Sequence, residues 1–105
     1  MTFIETPIFT KKINELISDE EYRLLQAELI QNPKSGDVIR NSQGLRKLRW
    51  KVQGKGKRGG IRVIYYFYLS RDQIFMLYPF KKSENEDLTP EQLKALATYV
   101  RDGVL

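Results

Sequence analysis

Ile61-Arg-Val-Ile-Tyr-Tyr-Phe-Tyr-Leu69, followed by Ser70-Arg-Asp-Gln73 and then Ile74-Phe-Met-Leu-Tyr-Pro-Phe80, decides the fold. Two runs rich in β-branched and aromatic residues flank a short polar segment with turn chemistry, which predicts an antiparallel hairpin. In the first run the strand period of two places Arg62 with Ile64, Tyr66 and Tyr68, and Ile61 with Val63, Tyr65 and Phe67. Upstream, Leu45-Arg-Lys-Leu-Arg-Trp-Lys-Val52 has a strand pattern as well. There Arg46 and Leu48 point one way, with Lys47, Arg49 and Lys51 spread over both faces. Gln53-Gly-Lys-Gly-Lys-Arg-Gly-Gly60 joins the two as a basic, glycine-rich connection, and residues 34–44 read as a polar loop.

Helices bracket the strands. Thr2–Glu5 reads as a short first strand, and Pro7 suits the first turn of a helix carrying Ile8, Phe9, Ile13, Leu16 and Ile17. Ser18-Asp-Glu-Glu21 is a capping box opening a second helix, which ends near Asn32-Pro33. Thr89-Pro-Glu-Gln92 is another, opening a helix with Leu93, Leu96, Ala97 and Val100 on one stripe and closing near Gly103. The expected order is β-α-α-β-β-β-α. This is an α+β fold: a small antiparallel β-sheet with an N-terminal helical hairpin and a C-terminal helix. With 105 residues the chain supports one core and one domain, residues 1–105.

Composition narrows the chemistry. Neither cysteine nor histidine occurs, so thiolate nucleophiles, Ser-His-Asp triads and paired-histidine acid–base catalysis are excluded. A metal site would rest on carboxylates alone, and proton transfer falls to Lys, Arg, Tyr, Asp or Glu. No stretch approaches the roughly 20 apolar residues of a membrane span. The opening residues lack the basic and apolar regions of a signal peptide, so a cytoplasmic protein without membrane contact is expected.

Charge is distributed unevenly. Residues 38–71 hold 10 basic side chains and no acidic one, while the remaining sequence has 8 basic and 13 acidic. A basic middle between acidic flanks is the footprint of a polyanion-binding surface. Arg62 sits in an apolar and aromatic run and needs an anionic partner. That partner is either an ion pair with Glu84, Glu86 or a helix carboxylate, or a phosphate bound on the sheet. Lys55, Lys57 and Arg58 bring charge to a loop whose glycines permit close approach, although a mobile hairpin tip explains the same residues. Trp50, Tyr65, Tyr66, Tyr68 and Tyr78 have rings suited to stacking on single-stranded RNA, at least half of them being expected in the core.

Three segments occur in order: Gly44-Leu-Arg-Lys-Leu-Arg49, Gly54-Lys-Gly-Lys-Arg-Gly-Gly-Ile-Arg-Val-Ile-Tyr-Tyr66, and Phe80-Lys-Lys-Ser-Glu-Asn-Glu-Asp-Leu88. Together they resemble the RelE/HigB superfamily of type II toxins, closest to its HigB-2-like branch, over nearly the whole chain. The resemblance implies a RelE-like sheet with the helical hairpin on one side. It also implies an endoribonuclease that cuts mRNA in the ribosomal A site without a metal or other cofactor, inhibiting translation. Its partners would be the ribosome, the mRNA and a cognate antitoxin carrying a helix-turn-helix DNA-binding domain, expected to present an acidic or helix-rich segment.

By the same resemblance Arg62 faces the scissile phosphate, and Lys47 and Arg49 are the paired basic positions of the preceding strand. Of those two types only lysine loses a proton in proteins, where neighbouring cations favour the neutral form. Lys82 would assist the leaving group. Lys55, Lys57 and Arg58 would grip the backbone of mRNA or ribosomal RNA, with Arg46, Lys51 and Tyr66 as further RNA contacts. The chain departs from the family at two places. Glu86-Asp87-Leu88 stands in the region of a late tyrosine, and Phe80 where an aromatic hydroxyl is common. Glu84 is then a candidate carboxylate base. Two other readings share the basic surface: a ParE-like inhibitor of DNA gyrase without nuclease activity, and a non-catalytic RNA-binding module.

Overall fold

The computed structural model describes residues 1–52, 60–82 and 88–104. Its elements are β1 (Thr2–Glu5), α1 (Pro7–Leu16), α2 (Asp19–Gln31), β2 (Asp37–Val38), β3 (Arg46–Trp50), β4 (Ile61–Tyr68), β5 (Gln73–Lys81) and α3 (Pro90–Val104). The strands form one sheet in the order β1-β5-β4-β3-β2. Three of the four pairings are antiparallel, but β1 runs parallel to β5. The sheet is therefore mixed at one edge.

Local chemistry sets the helix ends. The Thr6 hydroxyl accepts from Phe9 N at 3.0 Å and donates to Leu77 O at 2.8 Å, so one buried side chain caps α1 and pins it to β5. Ser18 accepts from Glu21 N at 3.1 Å, and Asp19, Glu20 and Glu21 lie in the first turn of α2, where the helix dipole favours negative charge. At α3 the capping box is reciprocal: Gln92 N donates to Thr89 Oγ1 and Thr89 N to Gln92 Oε1. α3 runs to Val104, one residue past Gly103 and close to the expected end. A turn of 3-10 helix, Leu69–Arg71, with Asp72 at φ 53°, joins β4 to β5.

The sheet is the middle layer. On one face Phe9, Ile13, Ile17, Leu25 and Leu29 of the helical hairpin pack on Val63, Tyr65, Ile74 and Met76. On the other, Ala97 and Val100 of α3 pack with Leu45, Ile64, Phe75, Leu77 and Phe80. Faces of β4 thus divide as its alternation predicts. β5 carries a bulge the sequence does not announce: Ile64 pairs with Tyr78 and Tyr65 with Met76, leaving Leu77 without an opposite. A bulge shifts the alternation by one residue, which places Leu77 and Phe80 in the same core.

Two expectations for the region before β4 need correction. Residues 34–44 are not wholly loop, since Asp37 and Val38 pair with Lys47 and Arg46. Basic residues of β3 do not scatter either. Arg49 lies opposite Arg62 and Lys47 opposite Ile64, so both share the α3 face, whereas Arg46 lies opposite Tyr65 on the hairpin face.

The segment after β2 is tightly wound. Asn41, Gln43 and Gly44 have φ of 58°, 62° and 98°. The buried Ser42 hydroxyl closes the turn on Ile39 O at 2.6 Å. A Cβ on Gly44 would stand 3.3 Å from the Tyr66 ring, so glycine serves both the left-handed backbone and the close approach.

Candidate RNA-binding face

Pairing of β3 with β4 builds the site. Arg49 and Arg62 are direct cross-strand partners at one end of the sheet, and the next pair on the same face is Lys47 with Ile64. Directly opposed Cβ atoms lie about 4.5–5.5 Å apart, and like charges in that relation oppose folding. Among the described residues neither arginine makes an ion pair. The Arg62 guanidinium donates to Ile61 O at 3.3 Å. Partial burial, and secondarily the charge of Arg49, hold the Arg62 pKa below its ordinary value. Both effects disfavour a second cation at this place, and an anion bound between the two would relieve both.

The surroundings add shape. Phe80, opposite Arg62 on β5, is fully buried in the α3-side core beneath this end of the sheet. Tyr78 lies beside it with ring centroids 6.1 Å apart. Lys12 of α1 stands 5.2 Å from the centre of the Tyr78 ring. Lys82 is exposed just beyond β5, and its amide donates to Gly60 O, which sets it next to the start of β4. Lys51, also exposed, follows β3 at this same end. Topology thus gathers Arg49, Arg62, Lys47, Lys51 and Lys82. Lys55, Lys57, Arg58 and Glu84 lie outside the described residues, as does Glu86.

Arg46 is placed elsewhere. Its guanidinium donates to Gly36 O at 2.7 Å and Lys34 O at 3.3 Å on the hairpin face, tying down the segment after α2. Tyr65 is fully buried, and its hydroxyl accepts from Gly36 N and donates to Pro33 O. Trp50 packs toward the helical hairpin and donates to Glu21 at 3.1 Å. Of the five aromatic residues singled out above, Tyr66, Tyr68 and Tyr78 remain half-buried on the α3 face.

Farther along that face, Gln43, Leu45, Tyr66, Tyr68, Ala97, Val100 and Arg101 line an open pocket of about 330 Å³. Sequence reasoning singles out Tyr66 and Tyr68 among its polar and aromatic lining, but neither Gln43 nor Arg101. Gln43, Tyr68 and Arg101 come from a loop, a strand and a distant helix, and no local spacing joins them. The turn chemistry of Asn41-Ser-Gln-Gly44 is the one available signal.

None of the described helices is long and apolar enough to cross a membrane. The fold is shared with solved structures. An arginine-to-alanine double mutant of the E. coli toxin RelE, in the free state, superposes with a TM-score of 0.62 at 16% identity, covering 94% of this chain and 95% of that one. Residues 5–102 match the family model described as the RelE toxin of the RelE/RelB toxin–antitoxin system. That match concerns the family as a whole and assigns no HigB-2-like branch. A RelE-type sheet and a match over almost the entire length give one conclusion: the chain belongs to the RelE toxin family and is the toxin of a type II toxin–antitoxin system, with a cognate antitoxin as its partner.

Proposed function

We propose that the protein is a ribosome-dependent endoribonuclease that cleaves mRNA in the A site, in the cytoplasm, by means of the RNA's own 2′-hydroxyl. The observation that carries this reading is the cross-strand pair Arg49–Arg62, without a carboxylate in ion-pair reach among the described residues. In the reaction the 2′-oxygen attacks phosphorus and displaces the 5′-oxygen. The 2′-hydroxyl gives up a proton and the departing 5′-oxygen receives one, so neither metal nor cofactor is required. Negative charge grows on the phosphoryl oxygens in between. Arg62 and Arg49, fixed cations with planar donor forks, stabilise that charge.

Lys47 and Glu84 are the candidates to accept the 2′-hydroxyl proton, and Lys82 to deliver one to the 5′-oxygen. Lys51 and Tyr66 extend the RNA contact, with Lys55, Lys57 and Arg58 on the RNA or ribosome backbone. Arg46 supports the sheet from behind through Lys34 O and Gly36 O. The antitoxin, carrying a helix-turn-helix domain, masks the basic face with an acidic or helix-rich segment.

Cells provide the first test. Induced expression should stop translation before DNA replication and create new mRNA 5′ ends in phase with codons. Arrest of replication with intact mRNA would instead assign the chain to gyrase inhibition. Salt-sensitive RNA binding without arrest would leave only a binding module.

A further inference from the structure

The pocket at the far end of the basic face has no part in the cleavage chemistry, yet it lies in line with it. The pairing continues in steps along one face: Arg49 with Arg62, Lys47 with Ile64, then Leu45 beside Tyr66 at the pocket. Each step is two residues of strand, about 6.7 Å, which is the reach of one nucleotide of unstacked RNA. The pocket stands two steps, about 13 Å, from the arginine pair.

Its lining has the chemistry of a nucleotide. Tyr66 and Tyr68 meet edge to face, with centroids 6.3 Å apart. Arg71 stands 5.8 Å from the Tyr68 ring, and Arg101 is at the rim, with Asp102 3.7 Å away at the surface. Gln43 supplies an amide that both donates and accepts. Leu45 and Val100 close the pocket with apolar surface. Its volume of about 330 Å³ is at the small end of ligand sites, roughly 300–1,000 Å³, and suits one ring system. An apolar side chain of a protein partner would fill the same space but would have no use for Arg101 at the rim or the amide of Gln43. A base with its phosphate uses both kinds of surface.

We infer that this pocket holds an unstacked nucleobase of the bound RNA, two nucleotides from the phosphate lying between Arg49 and Arg62. Tyr66 and Tyr68 form the stacking wall, Gln43 bonds the base edge, and Arg101 meets the adjoining phosphate. The assignment rests on the reading that the Arg49–Arg62 face binds RNA, and the experiment separates the two.

Short 2′-O-methyl RNAs, which resist cleavage, are made with a single abasic position moved stepwise along the strand. Their affinity for the full chain is measured by fluorescence anisotropy at fixed salt. One position should weaken binding about tenfold when its base is removed, as expected for loss of one stacked base. Tyr66→Leu should weaken binding of the intact RNA by a similar factor and abolish the effect of that abasic position. Gln43→Ala and Arg101→Ala, at exposed sites that do not endanger folding, should reduce it. Arg62→Ala should weaken every RNA and leave the positional effect in place.

If Arg62→Ala weakens binding but no abasic position stands out, the pocket assignment is overturned and the RNA-binding face survives. Absence of RNA binding by the wild type would overturn the pocket assignment, while the proposed function is tested separately by cleavage on programmed ribosomes. Pocket variants that bind all the RNAs normally but release a co-purified antitoxin would give the pocket to the protein partner, against the inference.

Discussion

Arg62→Ala should retain its fold and lose mRNA cleavage on programmed ribosomes by about 10²–10³-fold, the usual consequence of removing a preorganised donor from a developing oxyanion. The structure explains why folding survives. Arg62 is only half-buried, and among the described residues it leaves no carboxylate unpaired when removed. Its loss also relieves repulsion with Arg49 across the ladder. Thermal unfolding should therefore show a midpoint unchanged or slightly raised. Arg62→Lys keeps the charge without the planar fork, so its rate should fall between those of wild type and alanine. Full cleavage by a folded Arg62→Ala would remove this residue from the site.

The second large effect concerns stability. Tyr65→Ala is expected to leave little folded protein. Removing a fully buried aromatic ring costs about 3–5 kcal/mol, a large share of the roughly 5–15 kcal/mol by which a domain is stable. Two backbone groups also lose their partner, Gly36 N at 2.9 Å and Pro33 O at 2.8 Å from the Tyr65 hydroxyl. Tyr65→Phe isolates that second contribution and should cost about 1–3 kcal/mol for each group left unsatisfied. Urea unfolding of the two variants, compared with wild type, gives both numbers.

The same hydroxyl contributes an alkaline limit. Burial raises the Tyr65 pKa above its ordinary value, so the unfolded chain releases the proton first. Its contribution is complete below about pH 10 and falls above it, and Tyr65→Phe should flatten that part of the profile. An unchanged urea midpoint in Tyr65→Phe would show that the segment after α2 does not depend on this hydroxyl.

The parts of the fold legible in the sequence are those specified by short-range chemistry. β4 alternates cleanly because its two faces meet different helices, and the capping residues Ser18 and Thr89 signal helix starts through bonds within four residues. Parallel pairing of β1 with β5 joins residues some 70 positions apart and leaves no local mark. The bulge at Leu77 is similar, since Ile74–Phe80 reads as a plain apolar run. β2 is two residues long, too short for any period to show. For the proposed site, charge composition and the strand position of Arg62 point to the face that Arg49 and Lys47 share. The opposition of Arg49 to Arg62 depends on register, and the separate duty of Arg46 on the position of Gly36 after α2.

The central claim is tested most directly by the chemistry of the cut ends. Purified ribosomes are programmed with a defined mRNA and incubated with the wild-type protein, and both new termini are analysed. A 2′,3′-cyclic phosphate on the upstream fragment and a 5′-hydroxyl on the downstream one, with no cleavage when the nucleotide before the cut is 2′-deoxy, is the result expected here. A 5′-phosphate, or equal cleavage of the deoxy-substituted message, would contradict attack by the 2′-oxygen and the roles given to Arg49 and Arg62.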